Sequence, residues 1–178
     1  LITGRFRLMT TIRQWAALVV VAAVGAFVVM EVALFQRDFT LAYVSEVGSR
    51  TTPLVFNVAA LWSSLEGSIL LWALILGGYL AAVLVKFRDR QHDPLVGWAV
   101  VVMLCVTTFF FALMAGPANP FTSFDPPVGF DGPGPNPLLQ NHILMAFHPP
   151  LLYLGYVGFT VPFAFAAAMA ASTPAFEP

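Results

Sequence analysis

The sequence predicts an all-α, multi-pass transmembrane helical bundle, carrying a short interfacial helix and an ordered Pro/Gly-rich outer loop. Three observations predict it. Of 178 residues, 59% are hydrophobic and only 10% charged, with 17 Phe, and the mean hydropathy is +0.83, far from the averages of soluble domains. Four segments are long and evenly apolar enough to cross about 30 Å of hydrocarbon, which takes roughly 20 residues. None of them shows the two-residue alternation of a barrel strand.

Within a single membrane domain, 1–178, the spans read 15–35, 67–85, 95–115 and 149–171. The chain opens at Leu1 and stops at Pro178, which read as cut edges of a longer protein. The first span exceeds the roughly 7 to 15 apolar residues of a secretory signal, so it reads as an anchor. Arg5, Arg7 and Arg13 precede it, and Lys86, Arg88 and Arg90 fall in the connection 86–94, so six of eight basic residues share one side. The positive-inside rule makes that side cytoplasmic. The connections 36–66 and 116–148, holding only Arg37 and Arg50, then face outward. Glu31 is expected to reach the outer headgroups, and His92 to be a solvated loop residue.

In the first outer connection, Thr52 to Trp62 is apolar but too short to span, and Trp62 and Trp72 bracket Glu66-Gly67-Ser68. A short interfacial helix leading into the second span fits, with tryptophan at headgroup depth. Glu66 stands at the edge of the hydrocarbon. It either faces a polar interior with a partner or complements the dipole at the start of the second span. In the third span Cys105 has no partner, which excludes a disulfide framework or thiolate site and leaves a small buried hydrophobe.

The second outer connection holds seven Pro and four Gly in the 22 residues from Gly116 to Pro137, yet keeps Phe121, Phe124 and Phe130. It reads as a rigid, ordered lid, in which Asp125 and Asp131 are turn residues. Close helix contacts are expected at Gly77 with Gly78, Gly155 with Gly158, and Ala164 to Ala171. Pro162 should kink the fourth span. The mouth of that span is the most informative stretch. In His148-Pro149-Pro150, the prolines can occupy the first turn of a helix, with His148 just before it at the water–membrane boundary. An imidazole there either caps the helix, ligates a metal or haem iron, or shuttles a proton. Gly-rich phosphate loops and basic patches are missing from the sequence, so nucleic-acid partners are not expected, and the lipid bilayer is.

Five motifs then occur in order: Asp38-Phe-Thr-Leu-Ala-Tyr43, Trp62-x-x-x-Glu66-Gly67-Ser68 through Trp72, Asn119-Pro-Phe121, Asn136-Pro-Leu-Leu-Gln140, and His148-Pro149-Pro150-Leu-Leu-Tyr153-x-Gly-Tyr-Val-Gly158. Together they resemble the CcmF family of cytochrome c-type biogenesis proteins, haem lyase subunits of a membrane haem-handling superfamily, of which this chain matches an N-terminal fragment. The resemblance implies haem handling and attachment to apocytochrome c at the outer face of a bacterial inner membrane. It implies as partners a haem-carrying chaperone, apocytochrome c and its thiol-handling proteins. His148 corresponds to an axial ligand of the haem in transit, while Trp62, Glu66, Trp72, Asn136, Gln140, Pro149, Pro150 and Tyr153 fall in motifs expected to support that site. The family's tryptophan-rich motif, its second outer histidine and the two ligands of a b-type haem have no match in this chain, and Ser63, Ser64 and Leu65 depart from the pattern before Glu66. His142 is not read as a second ligand. A rival function is an ion or proton transporter or channel using Glu66 and His148.

Overall fold

The computed structural model describes residues 2–90, 93–140 and 142–172, with side chains from Thr10 onward; His92 and the side chains of Arg5 and Arg7 lie outside the described residues. Among the described residues seven α-helices follow one another: α1 Ile2–Gln36, α2 Ala42–Val47, α3 Leu54–Ala59, α4 Leu65–Lys86, α5 Pro94–Ala115, α6 Leu144–Gly158 and α7 Thr160–Ser172. Thr10–Gln36, Leu65–Lys86, Pro94–Ala115 and Leu144–Ser172 are long and apolar enough to cross a membrane. Together they form a helical membrane bundle. Between 17 and 39% of each apolar window is buried inside the chain. The remainder is apolar surface turned outward, a solvent preference only lipid or further helices satisfy.

Local chemistry fixes where helices begin and end. Asp93 caps α5 by accepting from the Leu95 N–H at 3.0 Å, with Pro94 at the position where a missing N–H costs nothing. At the other end of α1, Arg37 takes a left-handed backbone, φ 54°, and the Asp38 N–H reaches back to the Ala33 carbonyl at 2.9 Å. The Arg37 side chain offsets that strained conformation by donating from Nε to the Ser49 carbonyl at 3.0 Å and from a terminal nitrogen to Thr52 at 3.3 Å.

Two buried clusters hold the bundle. One, toward the end carrying Arg13 and Lys86, joins Ala16, Leu80, Val83, Ala99, Val100 and Met103 to Ala164 and Ala168 of α7. The other, at the loop end, packs Met30, Leu34, Phe39, Tyr43, Val44, Leu61, Leu70 and Leu71, with Trp62, Phe130 and Tyr153 at its margin. The Pro/Gly-rich connection is strapped over this second cluster. Ala42 donates to the Thr122 carbonyl at 2.8 Å, Gly134 to Gly48 at 3.1 Å, and Arg50 N–H to Asp131 Oδ1 at 2.9 Å. Phe130 packs edge-on to Phe39, so the lid is ordered as expected, although Phe121 and Phe124 stay partly exposed.

Several expectations need correction. The fourth span starts at Leu144, not Pro149, and breaks at Phe159, upstream of Pro162. Pro162 lacks the N–H that the Gly158 carbonyl needs, so the chain tightens, with Phe159 N–H bonding Tyr156 at 3.2 Å, and restarts with Pro162 in the first turn of α7. Of the small-residue pairs, Gly77 meets Val20 and Ala23 of α1 and Gly158 meets Tyr79, whereas Gly78 and Gly155 face open space. Cys105 is exposed on the bundle's outward surface. Glu31 is half-buried, with its Oε2 shielded and unpartnered among the described residues. It lies on the flank of α1 beside the buried Met30 and Leu34.

Candidate functional site: the turn that carries His148

Helix α6 contains both prolines in its interior, at positions where two carbonyls lose their intrahelical donor. A short first turn makes this tolerable. His142 Nδ1 accepts from the Leu144 N–H at 3.2 Å, and Met145 and Ala146 bond back to His142 and Ile143 at 2.9 and 3.1 Å. Pro150 leaves the Ala146 carbonyl without an N–H four residues on, and the indole Nε1–H of Trp62 fills the vacancy at 3.0 Å. His148 therefore sits inside the second turn of α6, one turn deeper than a residue that merely precedes the helix.

Trp62 is itself held. It ends the tight turn Ala60–Trp62 that joins α3 to α4, and its carbonyl accepts from Ser68 Oγ at 3.1 Å. Ser68 Oγ and the Tyr153 hydroxyl are 3.2 Å apart; with the serine proton given to Trp62, the tyrosine proton goes to the serine. Trp72 packs edge-on against Tyr153, ring centroids 5.5 Å apart, and at a tilt against Phe110 at 5.4 Å. Trp62, Leu139, Met145 and Pro149 line one small cavity. Below this, Tyr43 donates its hydroxyl to the Leu61 and Ala60 carbonyls at 2.7 and 3.0 Å. Burial raises the Tyr43 pKa above the ordinary tyrosine value, so it remains a neutral donor. Gly67 passes so close to Leu61 and Tyr43 that no Cβ fits.

Asn136 and Gln140 shape the wall beside this clamp. Asn136 Oδ1 accepts from the Leu138 N–H at 2.9 Å, and Gln140 Nε2 donates to the Pro135 carbonyl at 3.1 Å, closing the tight turn Pro137–Gln140. Thus Trp62, Trp72, Tyr153, Pro149 and Pro150 come together, with Asn136 and Gln140 as their neighbouring support. Glu66 does not join them. It lies in the first turn of α4 and lines a separate polar cavity of about 250 Å³ with Tyr43, Glu46, Gly116, Asn119 and Thr122. That position suits an acid complementing the helix dipole.

His148 is exposed and makes no hydrogen bond among the described residues. One face of α6 around it, Leu144, Leu151 and Leu152, is exposed and apolar, and Gly155 leaves open space on the same side. An exposed imidazole without a protein partner among the described residues, set in an apolar strip, offers a ring nitrogen that would suit the iron of a porphyrin, with apolar side chains for the macrocycle beside it. His142 differs: its Nδ1 is already committed to the helix start. Gly67, Ser68 and Tyr43 stand in the sequence only as letters of its motifs, and the fold gives each a contact.

The fold and this clamp define a multi-pass membrane protein that displays, among the described residues, an imidazole without a hydrogen bond beside its loop end. Residues 62–175 match the cytochrome C assembly protein family, and the chain belongs to that family. It is 40% identical over 165 residues to the cytochrome c-type biogenesis protein CcmF of Escherichia coli (strain K12), covering 93% of this chain and 25% of that protein. It is 41% identical over 128 residues to the cytochrome c-type biogenesis protein NrfE of Haemophilus influenzae, covering 71% of this chain and 20% of that protein. Among solved structures it is similar to the cytochrome c haem lyase CcmF, with a TM-score of 0.68 and 34% identity over 90% of this chain and 25% of that one. The chain thus spans about a quarter of the length of the relatives it matches.

Proposed function

We propose that this segment forms one half of a haem-receiving site in a cytochrome c maturation protein, with His148 as an axial iron ligand. The observation that carries the reading is the unengaged His148 imidazole, set in an apolar strip on a turn anchored by Trp62. The iron supplies the coordination position, and the chain supplies the rest. His148 donates a ring nitrogen, the leucine strip offers the porphyrin an apolar face, and the clamp fixes the turn. The second ligand and the surface that brings the vinyl groups to the apocytochrome thiols come from outside these residues. Haem is cargo here, delivered by a haem-carrying chaperone and passed to apocytochrome c. The site lies at the outer, periplasmic end of a bundle in a bacterial inner membrane, opposite Arg13, Lys86, Arg88 and Arg90.

The transporter reading is weaker because Glu66 and His148 belong to different surfaces, the first in the cavity beside Tyr43 and the second on the apolar face of α6. The test uses cells making the full-length protein at equal abundance. His148→Ala should abolish haem-stained cytochrome c while membrane insertion persists, and added imidazole should partly restore the His148→Gly variant. Normal staining in His148→Ala returns the histidine to a structural role.

A further inference from the structure

We propose that Trp62 is a positioning residue for His148, aiming the imidazole by satisfying the carbonyl that Pro150 orphans; this rests on the reading of His148 as an iron ligand. The imidazole has no partner of its own among the described residues, so the backbone turn beneath it decides where it points. That turn is interrupted by Pro149 and Pro150 and has lost the hydrogen bonds that would normally hold it. Ala146 is 3% exposed, so water does not reach its carbonyl readily, and the Trp62 indole at 3.0 Å is the donor present.

The anchor is closed into a ring. From α6 the path runs through the Ala146 carbonyl to Trp62, from the Trp62 carbonyl to Ser68, and from Ser68 to the Tyr153 hydroxyl back on α6. His148 lies between the two points of attachment. Trp62 also lines one small cavity with Met145 and Pro149, which flank the histidine in sequence. A ring of this kind leaves the turn little freedom to rotate, and a ligand held in one direction forms its bond to iron without a further ordering cost. The prolines and the tryptophan are therefore one device. The prolines remove the competing intrahelical bonds, and the indole replaces one of them with a tether to the turn between α3 and α4.

The experiment compares the full-length protein, purified at matched abundance, as wild type, Trp62→Phe, Pro150→Ala, the double variant and His148→Ala, reading haem retained per protein and its spin state. Phenylalanine keeps the ring and deletes the donor. Alanine at 150 gives Ala146 an intrahelical N–H again. Trp62→Phe should lose roughly tenfold in haem retention, the worth of one hydrogen bond plus an unsatisfied carbonyl, and shift the remainder from low to high spin; the double variant should recover both. A purely structural role for Trp62 would lower protein yield, leave the spectrum of the surviving protein unchanged and show no rescue through Pro150, and that result overturns the proposal. A wild-type spectrum in Trp62→Phe beside a haem-depleted His148→Ala overturns the positioning role alone. Wild-type haem in His148→Ala overturns the ligand reading and the positioning role with it.

Discussion

Gly67→Ala is the substitution with the largest consequence that the geometry allows to be worked out. A Cβ at this position would overlap the Leu61 carbonyl and the Tyr43 hydroxyl and stand 2.7 Å from Tyr43 Cζ. Something must move, and two of the three atoms belong to a fully engaged hydrogen bond, the 2.7 Å contact from Tyr43 to Leu61. Overpacking alone costs about 1–3 kcal/mol. Freeing a buried carbonyl and hydroxyl adds about 1–3 kcal/mol, so the total is roughly 2–6 kcal/mol, a large share of the 5–15 kcal/mol typical of a folded domain. Gly78→Ala on the same helix is the internal control. Its Cβ meets nothing within 4 Å, and exchanging glycine for alanine inside a helix gains about 1 kcal/mol. The assay is the midpoint of heat-induced loss of the monodisperse species on size exclusion in detergent. Gly67→Ala should fall well below wild type and Gly78→Ala should equal or exceed it. Equal midpoints for the two alanine variants would refute the clamp between Tyr43, Leu61 and Gly67.

Three further outcomes follow from the same contacts. In a Cys105→Ser background, cysteines at Arg50 and Asp131 should react with an impermeant reagent from outside intact cells and one at Arg90 should not; labelling at Arg90 would invert the proposed orientation. Glu66→Gln should cost no more than about 1 kcal/mol, the helix-dipole contribution, and leave maturation intact, whereas a complete loss of maturation would make Glu66 a functional carboxylate. Tyr43 gives an alkaline limb. Burial raises its pKa, so the folded state keeps a proton that the unfolded chain releases above about pH 10; stability is full below that pH and falls as pH rises beyond it. Tyr43→Phe should flatten that fall while lowering the plateau, and an unchanged pH profile would show that the hydroxyl is not buried as described.

Much of the fold could be read from hydropathy because a bilayer demands long apolar helices, and α4 and α5 fall within two residues of the expected spans 67–85 and 95–115. Boundaries failed where one distant group overrode a local rule. The prolines after His148 argue for a helix start, and the start lies at Leu144 instead because Trp62, 84 residues away in sequence, supplies a missing donor. No local pattern carries that information. Gly155 and Gly158 look alike in sequence, yet only Gly158 meets a neighbour, because Tyr79 reaches across from α4 to the Leu154 carbonyl at 2.8 Å. For the proposed site, the motif that carries His148 could be picked out in the sequence, whereas the separation of Glu66 from Trp62 and Trp72 could not. Residues 66, 68 and 72 share one motif, but the helical turn places Glu66 away from Ser68 and Trp72.

The central claim, that His148 holds iron, is tested most directly by the haem content of the purified full-length protein, measured as pyridine haemochrome per polypeptide in wild type and His148→Ala. The account predicts that the variant loses the outer haem, while any haem held by ligands elsewhere in the protein stays. Identical haem content and an identical low-spin spectrum in the two proteins would contradict it.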